Sequence, residues 1–319
     1  MICSAILAAA FCGCGNDYVQ DGKLKVVATI FPEYDWVREI MGDAFEDADV
    51  VLLQYGGTDM HSYQPTAADI IKISDCDIFI YVGGVSDDWV KGALKEKKNK
   101  DMKEINLLQI LGENALEEEI KEGMESEEQH DHGEEEPELD EHVWLSLRNA
   151  EVFCEKIAQA LKEKDPENAD KYEANFKSYA KKLSALEEKY AYAVQDGKDR
   201  VLVFADRFPF RYLADDYSLD YYAAFAGCSS ETAASFETIT KLAAKVDELG
   251  VRAVMTIEGS DCKLAETVIA NTKTKDQKIL TLDSMQSATT TKWKDATYLS
   301  IMEKNLDVLI EAMGKWWEE

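Results

Sequence analysis

Histidine is the scarce residue of this chain: there are four in 319, at positions 61, 130, 132 and 142. Basic residues are also short, with 35 Lys and Arg against 63 Asp and Glu, a formal net charge of −28. That balance excludes nucleic acid and anionic lipid head groups as partners and favours cations. Half of the excess is local, since Leu111–Glu141 holds fifteen acids and one base. Glycine motifs are missing as well. "YVGGVSDDW" contains neither GxGxxG nor a P-loop, which excludes nucleotide binding and leaves Gly83 and Gly84 to make a tight turn. No HExxH is present. Cys76, Cys154, Cys228 and Cys262 lack any zinc-type spacing, so they are read as non-ligands, either free buried thiols or, for Cys228 and Cys262, a disulfide. The aromatics of "KWWEE" and "YSLDYYAAF" are read as packing area.

The chain begins "MICSAILAAAFCGCGN", an apolar run too short to span a bilayer but long enough for the core of an export signal. Its end, "FCGCG", resembles a bacterial lipobox: Cys14, preceded by the small Gly13, fits the acylated position, whereas Cys12 follows the bulky Phe11. The resemblance implies lipidation at Cys14, and the alternative is a leader that is simply removed. Residues 1–23 are accordingly read as signal and tether.

Short β-branched runs followed by helical apolar spacing recur along the rest, the pattern of βαβ units and parallel sheets. Four runs lie in the first half ("KVVATI", "DVVLLQ", "IFIYVG", "INLLQI") and four in the second ("RVLVFA", "DYYAAF", "AVMTIE", "KILTLD"). The fold class is therefore α/β, two (β/α)4-type lobes with parallel sheets, each with a core of its own, over 24–145 and 197–319. Between them, 146–196 is nearly free of Gly and Pro and reads as a helical spine. Asp165 with Pro166 starts a helix there of roughly 25 residues, close to 40 Å long and stiff enough to join both lobes. The acidic stretch 111–141 shows no periodicity and is read as a solvated, disordered loop.

Ligands of open parallel sheets bind beyond the carboxyl ends of the strands. His61 and His142 follow strands of the first half, and Asp206 and Asp283 terminate the first and last strands of the second. Two imidazoles and two carboxylates can close around one divalent cation, and four protein ligands hold an ion rather than activate a water. On spacing alone the alternatives are helix-capping aspartates and surface histidines.

The stretches "VVATIFPEYDWVREIMGD", "GTDMHSYQPTAADI", "DEHVWLSL", "DPENADKYEANFKSYAKKLSALEEKY" and "LDSMQSATTTKWKDATYLSIMEKNLDVL" resemble the metal-specific solute-binding proteins of ABC transporters, the zinc and manganese uptake family. The resemblance implies two lobes on a rigid backbone helix with one metal between them, and assigns His61, His142 and Asp283 as ligands. At the third ligand position this chain has Arg207, which cannot ligate a cation. Asp206 is expected to take that role with Arg207 beside it as an orienting partner, or else Glu258 or a water, with Asp59 and Glu141 nearby in sequence. Zn2+ is the expected cargo, with Mn2+ or Fe2+ as alternatives, and His130 and His132 a weak capture site in the acidic loop. The implied partners are a membrane permease and, through a lipid anchor, the outer face of the bacterial cytoplasmic membrane, with the periplasm as the alternative location, for a monomer that is exported and is not an enzyme. Competing classes are a zinc-dependent hydrolase and a surface adhesion or metal-buffering lipoprotein.

Overall fold

The computed structural model describes residues 22–125, 138–195, 200–229, 233–287 and 296–314. In the first half β1 (Lys25–Ala28), β2 (Asp49–Leu52), β3 (Ile78–Tyr81) and β4 (Lys103–Asn106) alternate with α1 (Phe31–Met41), α2 (Ala67–Asp75), α3 (Val90–Lys95) and α4 (Leu107–Leu111). Two longer helices follow, α5 (Leu147–Lys164) and α6 (Ala169–Gln195). The second half repeats the alternation: β5 (Val201–Phe208), α7 (Arg211–Tyr217), β6 (Asp220–Ala226), α8 (Phe236–Leu249), β7 (Ala253–Ile257), α9 (Lys263–Ala270), β8 (Lys278–Leu282) and α10 (Tyr298–Ala312). Both sheets are parallel and share one strand order, β2-β1-β3-β4 and β6-β5-β7-β8. Strand order reverses between β1 and β3 and between β5 and β7, so crevices open at those carboxyl ends.

Two boundaries differ from the sequence reading. The fourth strand occupies Lys103–Asn106 rather than 105–110, because the Asn106 side chain accepts the Gln109 N–H at 2.8 Å and turns the leucines that follow into α4. The long helix begins at Ala169 after a 3₁₀ turn, Pro166–Asn168, so Asp165 does not cap it. Asp165 closes α5 instead, and its Oδ2 accepts from Tyr172 Oη at 2.5 Å and Asn168 Nδ2 at 2.8 Å.

The expectation of two separate cores is also corrected. A single apolar cluster runs from Val26, Ile78 and Ile105 of the first sheet, through Phe153, Ile157, Tyr179 and Leu183 of α5 and α6, to Phe204, Met255 and Leu282 of the second. Its continuity follows from α6, whose buried Tyr172, Tyr179, Leu183, Leu186 and Tyr190 make one helical stripe, and which packs on α1, α5, α7 and α10. Tyr298, at the start of α10, stacks edge-on with Trp36 of α1 at 5.2 Å and donates its hydroxyl to the Trp144 carbonyl, so the last helix is tied to the first lobe. Smaller clusters back each sheet on its outer face.

The acidic stretch is not wholly solvated. Glu117 and Leu139 pair as an isolated antiparallel bridge, and 115–125 then docks on the second lobe. There the Glu125 N–H reaches the Ala224 carbonyl, Tyr221 Oη reaches Glu119 and Tyr212 Oη receives the Leu116 N–H. Polar backbone with so many fixed partners is structure, whatever its charge. The four cysteines among the described residues are free thiols, so Cys228 and Cys262 are not bridged.

Glu33 gives the first lobe a pH signature. Its Oε2 accepts from Thr29 N, Thr29 Oγ1 and Ile30 N at 2.8, 3.1 and 3.2 Å, while Oε1 is buried without a partner. Burial, with Asp87 adding to it, pushes this carboxyl up to about 8, and burial pushes Asp87 to about 7. A carboxyl whose folded pKa lies above its unfolded one contributes stability that is complete below the unfolded value and is lost as pH rises through the folded one. Denaturant unfolding should therefore show stability declining between about pH 4.5 and 8, by at most about 1.4 kcal/mol per pH unit for this group. Glu33→Gln should flatten that slope to the part carried by the other carboxyls that burial raises into this range, Asp87, Glu258 and Asp35.

Candidate metal centre

The two expected histidines meet across the mouth of the cleft. His61 lies in a 3₁₀ turn, Met60–Ser62, downstream of β2, and Asp59 caps that turn by accepting the His61 N–H at 3.0 Å. Its Nδ1 faces Ser86 Oγ at 2.8 Å and Glu141 Oε2 at 3.6 Å. His142 precedes the 3₁₀ turn Val143–Leu145 that leads into α5, and it is fully buried. Asp140 Oδ1 accepts both its backbone N–H, at 2.9 Å, and its Nδ1–H, at 3.2 Å. A carboxylate on Nδ1 turns Nε2 inward, the usual device for presenting an imidazole to a metal. The two Nε2 atoms stand 3.2 Å apart. Two nitrogens on one tetrahedral ion, each at 2.0–2.1 Å, are separated by about 3.3 Å.

Glycines make room for this arrangement. A Cβ on Gly84, at φ +78°, would lie 2.3 Å from Glu141 Oε1, and one on Gly227 would lie 3.1 Å from His142 Cε1 and 2.9 Å from the Phe208 carbonyl. Gly84 thus serves Glu141 as well as the turn after β3.

From the second lobe come Gln286 and Cys228. Gln286 Oε1 approaches His142 Nε2 at 3.0 Å. Glu258 holds this loop, accepting from Ser284 N at 2.7 Å, Ser284 Oγ at 2.8 Å and Gln286 N at 3.3 Å. Met285, between them, sits at φ +60°, a conformation costing on the order of 1 kcal/mol that persists because its neighbours fix it. The loop also seals the lobes: Met60 N–H donates to the Gln286 carbonyl at 3.2 Å, Asp59 pairs with Ser287, and Trp144 Nε1 donates to the Ser284 carbonyl at 2.8 Å. Cys228 follows β6, with its N–H on Glu118 Oε1 at 2.9 Å. Among the described residues one group of metal-type donors has all its ligand atoms within 4.8 Å of one another: His61, His142 and Cys228. Spacing in sequence gave no sign of this position, because the end of a strand rather than a sequence motif brings the Cys228 thiol beside the histidines.

The expected carboxylates stand outside that group. Asp206 lies within β5, where pairing with β6 slips between Phe204 and Arg207, rather than at the strand's end. Its Oδ1 accepts the Arg207 N–H at 2.9 Å and its Oδ2 the Ile257 N–H at 3.4 Å. The Arg207 guanidinium pairs instead with Asp59 of the first lobe at 2.7 Å. Asp283 follows β8 and accepts the Met285 N–H at 3.1 Å. Glu258 has both oxygens committed to Ser284. His130, His132 and Cys14 lie outside the described residues.

Charge favours one positive centre between the imidazoles. Burial, then the neighbouring His142, lowers His61 to about 3, so it is neutral. Burial opposes a charge on His142 as well, but Asp140 and Glu141 outweigh it and raise its pKa. Burial, with Asp140 and Glu118 adding to it, pushes the Cys228 thiol well above its ordinary value, a balance that a bound cation inverts. A cavity of about 450 Å³ leads in from solvent past Glu118, Glu125, Glu138 and Glu141 to His61 and Cys228. Acids around such a mouth concentrate cations there.

Two parallel α/β lobes on a helical brace, with two imidazoles facing each other where the lobes meet, define a two-lobe α/β protein with a group of metal-type donors between its lobes. The comparisons place it in a family. The model of the zinc-uptake complex component A, periplasmic, matches residues 26–312, and the chain belongs to that family. It is 31% identical over 311 residues to the zinc-binding lipoprotein AdcA of Streptococcus pneumoniae, an alignment covering 97% of this chain and 60% of that protein. Thus it spans about 60% of the length of that relative. The high-affinity zinc uptake system protein ZnuA of Bacillus subtilis is 29% identical, over 97% of this chain and 96% of that one. Among solved structures, the Zn(II)-bound ZnuA-like domain of S. pneumoniae AdcA superposes with a TM-score of 0.71 at 28% identity, covering 92% of this chain and all of that one.

Asp140→Asn keeps the side chain's shape and removes the charge behind His142. It should lower the affinity for a divalent metal about 10- to 100-fold in competition titrations, while the far-ultraviolet circular dichroism stays unchanged.

Proposed function

We propose that this chain is the extracytoplasmic solute-binding component of a zinc ABC uptake system, taking one Zn2+ into the cleft between its lobes and passing it to a membrane permease. The observation that carries this is the pair of Nε2 atoms 3.2 Å apart, each backed by a carboxylate, Asp140 behind His142 and Glu141 behind His61. Such a pair has the chemistry of a metal chelate, and family membership together with zinc-named relatives makes zinc the cargo. Imidazole suits Zn, Fe and Ni alike, so the manganese and iron alternatives yield to the relatives rather than to the ligand type alone.

On this proposal His61 and His142 are two of the ligands. Asp206 and Asp283 remain the carboxylates proposed for the second lobe, and their engagement requires β5 or the 283–287 loop to shift toward the histidines. The acidic rim gathers the ion, with His130 and His132 proposed as a first, weak capture point between Glu125 and Glu138. Anchoring through Cys14 at the outer face of the cytoplasmic membrane, as a monomer, completes the proposal. Nothing in the site is assigned to bond breaking; the protein is read as a carrier.

Calorimetry of the metal-stripped protein should show one tight zinc per chain. His61→Ala and His142→Ala should each weaken it by more than about 100-fold, since even groups that only support a ligand are worth 10- to 100-fold. Unchanged tight binding in both variants would overturn the assignment. Asp206→Asn and Asp283→Asn, measured alongside, report whether either carboxylate reaches the ion.

A further inference from the structure

The donors that actually converge include a sulfur. We propose that Cys228 is the third protein ligand of the zinc site, giving a His61, His142, Cys228 shell with Gln286 Oε1 facing the fourth position; this rests on the imidazole pair being the zinc site. Three observations carry it. The Sγ of Cys228 lies with both imidazole nitrogens inside one 4.8 Å group, and no carboxylate among the described residues does. Backbone fixes the closeness: Gly227 passes so near His142 that a Cβ there would sit 3.1 Å from the ring, and the Cys228 N–H is pinned to Glu118 at 2.9 Å. The surroundings are built and pre-aimed, since Gln286 and Glu141 are each about 2% exposed, and Gln286 directs Oε1 at His142 Nε2 while its Nε2 has no partner.

The thiol takes the place of this lobe's carboxylates, which are engaged elsewhere: Asp206 accepts from the Arg207 and Ile257 N–H groups and Asp283 from the Met285 N–H. Arg207 carries no lone pair to give, and it is held by Asp59. Zinc accepts nitrogen and sulfur together in tetrahedral sites, with Zn–S near 2.3 Å and Zn–N near 2.0–2.1 Å, which sets sulfur and nitrogen about 3.6 Å apart; the present donors lie within 4.8 Å of one another. On binding, the S–H bond breaks and the S–Zn bond forms, the thiol proton leaves to solvent together with any proton held between the two Nε2 atoms, and the buried site gains less net charge than the ion brings. A thiolate is soft, so this shell discriminates against manganese more strongly than a carboxylate shell would. It also differs from the all-N,O shell that the sequence suggested, which places metal preference on one atom.

Cobalt(II), which occupies zinc sites and is coloured, tests this directly. The reduced full chain, purified in detergent and loaded with one equivalent of cobalt, should show a near-ultraviolet thiolate-to-cobalt charge-transfer band. Cys228→Ser should lose the band and weaken zinc by about tenfold or more, whereas Cys262→Ser should keep both. Because the band is read in the unaltered protein, a folding defect in the variant leaves the test intact. One bound cobalt without the band, or a band that survives Cys228→Ser, overturns the sulfur ligand. His61→Ala and His142→Ala separate the two levels: if they abolish cobalt binding while the band is absent in the unaltered protein, the site stands and the thiolate fails. If both still bind cobalt tightly, the site itself is elsewhere.

Discussion

Two imidazole nitrogens cannot rest lone pair to lone pair at 3.2 Å; a hydrogen or a cation has to lie between them. Asp140 and Glu141 favour positive charge at His142, while burial and the neighbouring His142 disfavour it on His61. A single divalent ion shared by both rings answers the two demands together. Much of the surrounding structure exists to keep this standoff in place: Asp140 and Ser86 turn the rings, Gly84 and Gly227 clear space, and Glu258 braces the loop that brings Gln286. Buried polar groups arranged this fully are worth more together than singly, because each removes an alternative orientation of the next.

The lobes cannot simply swing apart around the site. One apolar cluster runs through both, α6 lies against helices of each, and Tyr298 and Trp36 join the last helix to the first. Opening along that seam would expose large aromatic surfaces at roughly 25 cal/mol per Å². What crosses the cleft at its mouth is lighter: the ion pair from Arg207 to Asp59, the Asp59–Ser287 bridge, a few hydrogen bonds such as Trp144 to Ser284, and the pairs Lys121–Asp220 and Arg211–Glu119 of the docked 115–125 segment. The 283–287 loop and the His61 turn carry the contacts outside that segment, with Met285 at positive φ between the residues that make them.

Much of the fold was legible because parallel sheets buried on both faces demand continuous β-branched runs, and six of the eight strands, all but β4 and β6, carry them. The boundary at β4 slipped because "KEIN" is a strand by pairing rather than by composition, while the leucines after it satisfy either state. His61 and His142 were legible as rare residues beyond strand ends. Asp206 was misplaced to a strand terminus because β5 continues past it through an irregular register, which no local pattern announces. Cys228 was passed over because its partners are distant in sequence, so only the strand order brings the end of β6 to the histidines. The docking of 115–125 was masked by its charge, since the contacts that hold it are backbone groups and tyrosine hydroxyls invisible to composition.

The bridge between Glu117 and Leu139 works as a neck. With the chain clasped there and docked on the second lobe up to Glu125, the acids on either side of the clasp, Glu118, Glu125 and Glu138, keep their places beside the cavity that reaches His61 and Cys228. The negative rim that greets an approaching cation is thereby a fixture of the folded scaffold and not an appendage to it.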